Sequence, residues 1–277
     1  MLTAGNTLIG DYYDGAERRK VLALQSAVGA VLSTGMWMVG GFVAELGWRW
    51  PFAIFGIAFP LFIAGWYLLF EPENTHGHGA GANSASERFP YAFMVLTSVV
   101  ILVITTVYYI YTLYAGVAFE ALGVKSPSMI GIVTGIAGIG VPVGAWFYAK
   151  ISAATAGKLM AVMYVLLGLG LAGLGLSSSY MVGMAPAFVQ QLGTGMVIPI
   201  VISWVQSGVP ACHRGRAMGI FGMVFFLGQF TCPFVTSALN AHTGGILQSL
   251  VVVGVICMVL AALSAVFDRK LQPPPVA

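Results

Sequence analysis

Charge is what this sequence has least of. Only 8% of its 277 residues are Asp, Glu, Lys or Arg, against about a quarter in a soluble domain. So few charges cannot cover a water-exposed surface, which excludes a soluble globular protein and makes lipid the main solvent. Acidic groups are missing where they would matter most. All nine, Asp11, Asp14, Glu17, Glu45, Glu71, Glu73, Glu87, Glu120 and Asp268, lie in loops or at the ends of apolar runs. An ionisable group at membrane depth is a functional candidate by default, and none is present. No Ser/His/Asp constellation or metal-ligating cluster stands at depth either, so enzyme chemistry is disfavoured and no cofactor is implied. His76 and His78 share a Gly-rich stretch without further ligands. Cysteine is scarce as well. Cys212, Cys232 and Cys257 form no Cys-x-x-Cys pair and fall within or at the end of apolar runs, where Cys packs as a small hydrophobe. The net charge of +3 comes from loop residues and does not point to a nucleic-acid partner.

Long uncharged runs are abundant. A helix crosses the hydrocarbon core with about 20 residues, and runs of that length predict spans over 21–44, 50–70, 91–115, 127–149, 158–177, 182–206, 216–239 and 245–267. The stretch from Leu159 to Cys212 has no acidic or basic side chain. It is too long for one helix and divides at the polar turn Ser177-Ser178-Ser179. Met1 to Gly10 would reach only about 15 Å as a helix, half the core thickness, and reads as the tail of a further span. The fold class expected is therefore all-α integral membrane, with eight full spans and a partial one at the N-terminus.

Loop charge orients these spans. One set of loops holds Arg18, Arg19, Lys20, Arg88, Lys150, Lys158, Arg214, Arg216, Arg269 and Lys270, and the other only Arg49 and Lys125. The positive-inside rule makes the first set cytoplasmic, with both termini on that side of an inner (plasma) membrane. The longest connection, Glu71 to Pro90, is rich in Gly, His, Ala and Ser and reads as a cytoplasmic linker. It separates residues 1–70 from 91–277, two full spans from six.

The two parts echo each other. Arg18-Arg19-Lys20 opens one small-residue-rich span, and Arg214-Gly215-Arg216 opens another of the same direction. Each is followed by one more span. Parallel repeats of this kind relate the halves of some transporters. Equal halves would put the start of the first roughly 100 residues before Met1, so the sequence reads as lacking three spans and most of a fourth at its N-terminus.

Three stretches carry a resemblance to a known family. The first is Asp11 to Trp50, with Glu17-Arg18-Arg19, then Gly35, Gly40 and Gly41, then Gly47-Trp48-Arg49-Trp50. The second is the hydrophilic linker. The third is Pro210 to Pro233, with Arg214-Gly215, Gly219, Gly228-Gln229 and Pro233. Together they resemble the twelve-span drug or sugar efflux proteins of the major facilitator superfamily. The resemblance implies that 1–70 holds the end of span four with spans five and six, and that 91–277 is the C-terminal six-helix half. It also implies conformational roles for Arg18, Gly35, Gly40, Gly41, Arg49, Gly144, Arg214, Gly228 and Pro233. Two departures stand out. Met36 follows Gly35 where the antiporter motif has Pro, and the Gly144 to Lys158 loop lacks the usual Asp-Arg.

Polar side chains at depth give the candidate site. Thr105, Tyr108, Tyr109 and Thr112 are spaced i, i+3, i+4, i+7 and share one helix face. Gln190 and Gln191 lie on a span of opposite direction. By rise per residue, Tyr108 and Gln190 both sit about 6–8 Å to the outer side of their span centres. The resemblance implies that these two spans line a central cavity, in which Tyr rings and Gln amides would bind solute. Interfacial anchoring of Tyr and helix–helix bonding of Gln are the competing roles. Gly131, Gly135, Gly140 and Gly144 form four-residue steps that favour close packing, and Gly138 and Pro142 favour a bend.

The function expected is secondary transport of a small organic solute by alternating access, as efflux, with the bilayer and the solute as partners and a proton as candidate coupling ion. The alternative is a truncated fragment that does not transport and acts as a membrane interaction protein.

Overall fold

The computed structural model describes residues 15–68, 89–151 and 156–267, the side chains of residues 15–20, 22–27, 30, 31, 34, 68 and 211 excepted. Most of the expected linker, with His76 and His78, lies outside the described residues, as does the segment before Gly15. The described elements are all helical. The chain divides into two compact units, one of residues 1–80 with 126–135 and one of 81–125 with 136–277.

In the first unit, α1 (Gly15–Ala44) is a single helix of 30 residues. It stops at a turn in which Gly47 has φ +128°, a conformation that a side chain would strain. The Arg49 guanidinium lies over the Trp48 ring, 5.0 Å from its centre. Pro51 starts the short α2 (Trp50–Ala53), since the N–H that proline lacks has no helical partner there. A 3-10 turn, Ile54–Ile57, leads into α3 (Ala58–Leu68). Pro60 cannot donate to the Gly56 carbonyl, and the tightened turn falls at that point. No residue of Trp50–Tyr67 is buried.

The start of α5 (Pro127–Gly138) belongs to the same unit. There Gly41 of α1 meets Gly131 backbone to backbone. A Cβ on Gly41 would stand 2.8 Å from the Gly131 Cα and 2.6 Å from the Pro127 carbonyl oxygen. Ser126 accepts the Met129 N–H at 3.3 Å, an N-cap that fixes where α5 begins. The Ser128 hydroxyl donates to the Glu45 carboxylate.

The second unit contains α4 (Tyr91–Ala121), α6 (Gly140–Ile151), α7 (Ala156–Gly175), α8 (Tyr180–Ser207), α9 (Arg214–Thr243) and α10 (Ile246–Val266). Seven stretches are long and apolar enough to cross a membrane: Trp50–Tyr67, Tyr91–Ala121, Pro127–Ile151, Ala156–Gly175, Tyr180–Ser207, Arg214–Thr243 and Ile246–Val266. In α1 the apolar stretch counted among the described residues is Gly35–Ala44. Several helices outrun the expected spans. At 31 residues α4 is about 46 Å long, running past the expected end at Ala115 through Gly116-Val117-Ala118-Phe119-Glu120-Ala121. It ends at Leu122 with Gly123 at φ +95°. The Val124 N–H bonds to the Phe119 carbonyl at 3.0 Å and the Gly123 N–H to Glu120 at 2.9 Å, a Schellman closure with Val124 and Phe119 both buried.

The expected division at Ser177 to Ser179 is where α7 gives way to α8, with Ser179 accepting the Val182 N–H at 3.5 Å. The expected span 127–149 is interrupted at Ile139, whose N–H bonds to Ile136, three residues back rather than four. Pro142 has no N–H for the Gly138 carbonyl, which accounts for the break. The break falls close to where the span passes from the first unit to the second.

Glycine seams hold the second unit. On α6, a Cβ at Gly144 would run into the Leu192 carbonyl of α8, and one at Gly195 of α8 into the Val141 carbonyl of α6. A Cβ on Gly168 of α7 would stand 2.8 Å from the Gly254 carbonyl oxygen of α10, and one on Gly254 would stand 2.7 Å from the Gly168 carbonyl oxygen. Without a hydrophobic force between helices in lipid, such close approach is what drives their association.

Candidate functional site

The polar face expected on α4 separates into two environments. Thr105 is fully buried and donates to the Ile101 carbonyl at 2.8 Å, and its hydroxyl fills the space over Gly228 of α9. Gly228 thus serves close packing of α9 on α4. One turn towards the end of α4, Tyr108 and Tyr109 meet edge to face at 5.0 Å. Both rings also contact Phe225 of α9, at 5.6 and 5.5 Å. Tyr108 is part-exposed, Tyr109 is buried and Thr112 is exposed. Sequence spacing placed the four α4 residues on one face; Phe225 escaped it because α9 carries Phe221, Phe225, Phe226 and Phe230 with nothing to single one out.

Gln190 and Gln191 are 0% and 1% exposed. Gln190 is pressed against Gly170 of α7 and its Nε2 donates to the Thr194 hydroxyl at 3.0 Å. The Cβ of Gln191 faces Gly140 of α6. The glutamines therefore lie inside the helix packing, while Tyr108 and Thr112 reach its surface.

A groove of about 610 Å³ opens elsewhere in the unit. Tyr148 of α6 lines it with Pro199, Ser203, Gln206 and Ser207 of α8 and Arg214 at the start of α9. Its size is in the range of small-molecule sites. On the same helix as Tyr148, the Lys150 ammonium sits 4.0 Å from the centre of the Trp146 ring. Phe89, at the end of the expected linker, is buried beneath the Arg216 guanidinium at 4.6 Å and against the His213 ring at 5.5 Å. The motif residues have varied settings. Gly35 and Gly40 have open space where a Cβ would be, unlike Gly41. Pro233 lies within α9, exposed, and the Arg18 side chain is outside the described residues. Among the described residues no group of three or more His, Cys, Asp or Glu is placed to hold a metal.

The described residues form long apolar helices, with an aromatic cluster and a solute-sized groove in the second unit. The chain matches the sequence profile described as Major Facilitator Superfamily over residues 1–230 and again over 126–277, and it belongs to that family. It is thus a multi-pass membrane protein of a transporter family. Residues 126–230 fall within both matches.

No curated protein matches the chain significantly. Among solved structures, a bacterial homologue of the human lysosomal transporter Spinster, inward-facing and unoccupied, aligns with a TM-score of 0.63 at 15% identity, covering 98% of this chain and 76% of that one. The occupied form gives 0.58 at 15%, covering 98% and 75%. A point mutant of the peptide transporter POT gives 0.51 at 16%, covering 93% and 54%. At these identities the likeness is one of fold.

Proposed function

We propose that the chain moves a small, neutral or amphipathic organic solute across the membrane by alternating access, in the direction of export. The observation that carries this reading is the Tyr108–Tyr109–Phe225 ring cluster with the exposed Thr112 beside it. Rings offer stacking surface and hydroxyls offer bonds, without fixed charge, which suits a solute of low charge. Tyr108, Tyr109 and Thr112 then contact solute, whereas Thr105, Gln190 and Gln191 set the helices behind them. The groove beside Arg214 is the solute's way in from the cytoplasmic face. Residues 1–70 and 91–277 act as the two rocking parts, with 71–90 as the tether between them. A proton is the coupling ion proposed.

The test is counterflow in liposomes holding the full-length protein, with a solute panel and an imposed pH gradient. Tyr108→Ala should raise the apparent KM for the transported solute about tenfold, the loss of one aromatic stacking contact, while Tyr108→Phe changes it less than threefold. Transport unaffected by Tyr108→Ala removes the assignment of solute contact. Transport indifferent to the pH gradient removes the proton.

A further inference from the structure

The groove lined by Tyr148 and Arg214 changes character along its length. One wall is a face of α8, whose lining residues come in pairs four apart: Ile198 and Pro199, Ile202 and Ser203, Gln206 and Ser207. The face is apolar at Ile198, Pro199 and Ile202 and polar at Ser203, Gln206 and Ser207. From Ile198 to Ser207 is about 13 Å along the helix axis. Ser207 ends α8, Arg214 begins α9, and Tyr148 stands about one turn before the end of α6 at Ile151. The polar part therefore lies at the helix ends, where a membrane meets water, and the apolar part lies deeper.

The groove carries a positive charge and no negative one. Arg214 is exposed, and no acidic residue lines the groove. Among the described residues of the second unit, Glu120 is the only acidic side chain. It stands far from this end. The Arg216 guanidinium ties the start of α9 to Phe89 and Tyr91 at the start of α4, and Glu120 is about 43 Å further along α4. Arg216 also differs from Arg214 in being held by two rings, 4.6 and 5.4 Å from their centres. Ser207 already donates to the Trp204 carbonyl at 2.9 Å. The donors that remain in the lining are the Arg214 guanidinium, the Ser203 and Tyr148 hydroxyls and the Gln206 amide.

We propose that the groove is a binding site for an anionic phospholipid, with its phosphate on Arg214 and the first part of one acyl chain over Ile202, Pro199 and Ile198. The order of the lining selects this occupant. A free anion would use the donors and leave the apolar floor bare. A neutral lipid would cover the floor and leave Arg214 without a counter-charge. An anionic phospholipid is charged at the membrane boundary and apolar below it, the same order at the same depth. Basic pockets between membrane helices take such head groups, and the planar fork of arginine meets phosphate oxygens in pairs. The remainder of the lipid continues into the bilayer. This inference does not rest on transport; a solute entering by the same groove would displace the lipid.

Thermal unfolding of the full chain in detergent tests it. Added phosphatidylglycerol should raise Tm, whereas phosphatidylcholine with the same acyl chains, or glycerol phosphate without any, should leave it nearly unchanged. Arg214→Gln removes a charge-assisted bond and should increase the phosphatidylglycerol concentration needed for half the rise at least about tenfold. Arg216→Gln removes the same charge from a guanidinium already held by Phe89 and Tyr91, and should increase it clearly less. An equal rise with phosphatidylcholine assigns the groove to any lipid, and an equal rise with glycerol phosphate assigns it to a free anion; either overturns the proposal. Equal losses in the two arginine variants mean diffuse surface charge and overturn it as well. Should Arg214→Gln fail to fold, Ser203→Trp decides, because it fills the groove from an exposed position and removes no charge. The rise specific to phosphatidylglycerol should disappear in that variant, and its persistence overturns the proposal.

Discussion

Gly144→Ala is the sharpest test of how the second unit is held together. The Cβ it adds would be driven into the backbone of Leu192, meeting its carbonyl oxygen and lying 2.8 Å from its carbonyl carbon. Ordinary contact needs about 3.4 Å or more, and backbone cannot step aside as a flexible side chain can. α6 and α8 must therefore separate, and the reciprocal contact of Gly195 on Val141 loosens with them. Overpacking of this kind costs about 1–3 kcal/mol. Replacing Gly by Ala in a helix contributes about 1 kcal/mol in the other direction. The control is Gly222→Ala on α9, where a Cβ meets nothing within 4 Å and only the favourable term remains. Thermal unfolding in detergent, followed by the loss of monodisperse protein, should place Gly144→Ala below the unaltered chain and Gly222→Ala level with or above it. The gap between the two variants should be about 2–10 °C. Gly144→Leu should be worse again. If Gly144→Ala melts with or above Gly222→Ala, the seam does not hold the helices and the packing argument fails.

Cys212 is exposed, whereas Cys232 and Cys257 are buried, so one thiol per native chain should react quickly with maleimide and three after denaturation. With the basic loops inside, an impermeant maleimide should label Cys212 in inside-out vesicles and miss it in right-side-out ones. Lys125→Cys in a chain without native cysteines should show the opposite sidedness, and labelling of both from one side would contradict the topology. Pro142→Ala restores an N–H for the Gly138 carbonyl. It should slow amide exchange around residues 139–142 and, if the break serves transport, reduce turnover several-fold at unchanged Tm.

Much of the architecture could be read from residues. Periodic, uncharged runs gave the helices, and Ser177 to Ser179 gave the division between α7 and α8, because an apolar run that long cannot be one span. Pro142 predicted a bend in the right place, since a missing donor is a local property of the chain. The length of α9 was less legible, because its end turns, with Arg214 at one end and Asn240 to Thr243 at the other, lie beyond the apolar core, where hydropathy is silent. The candidate site was legible only in part. A helix face can be computed from spacing, so Thr105, Tyr108, Tyr109 and Thr112 came together. What a face meets depends on partners distant in sequence. Neither the Phe225 contact nor the burial of Gln190 against Gly170 has a local signature. The same holds for Gly41 on Gly131: each glycine stood out in its own segment, but nothing local pairs two residues separated by most of a hundred.

The interruption at Ile139 has a mechanical consequence. The membrane segment from Pro127 to Ile151 gives its opening turns to one compact unit and the remainder to the other. In an unbroken helix, changing the angle midway would rupture backbone bonds in a medium that offers no replacements. Here one such bond is already forgone at Pro142, so the two pieces can reorient without that penalty, and bending is cheapest at the joint rather than along the rods.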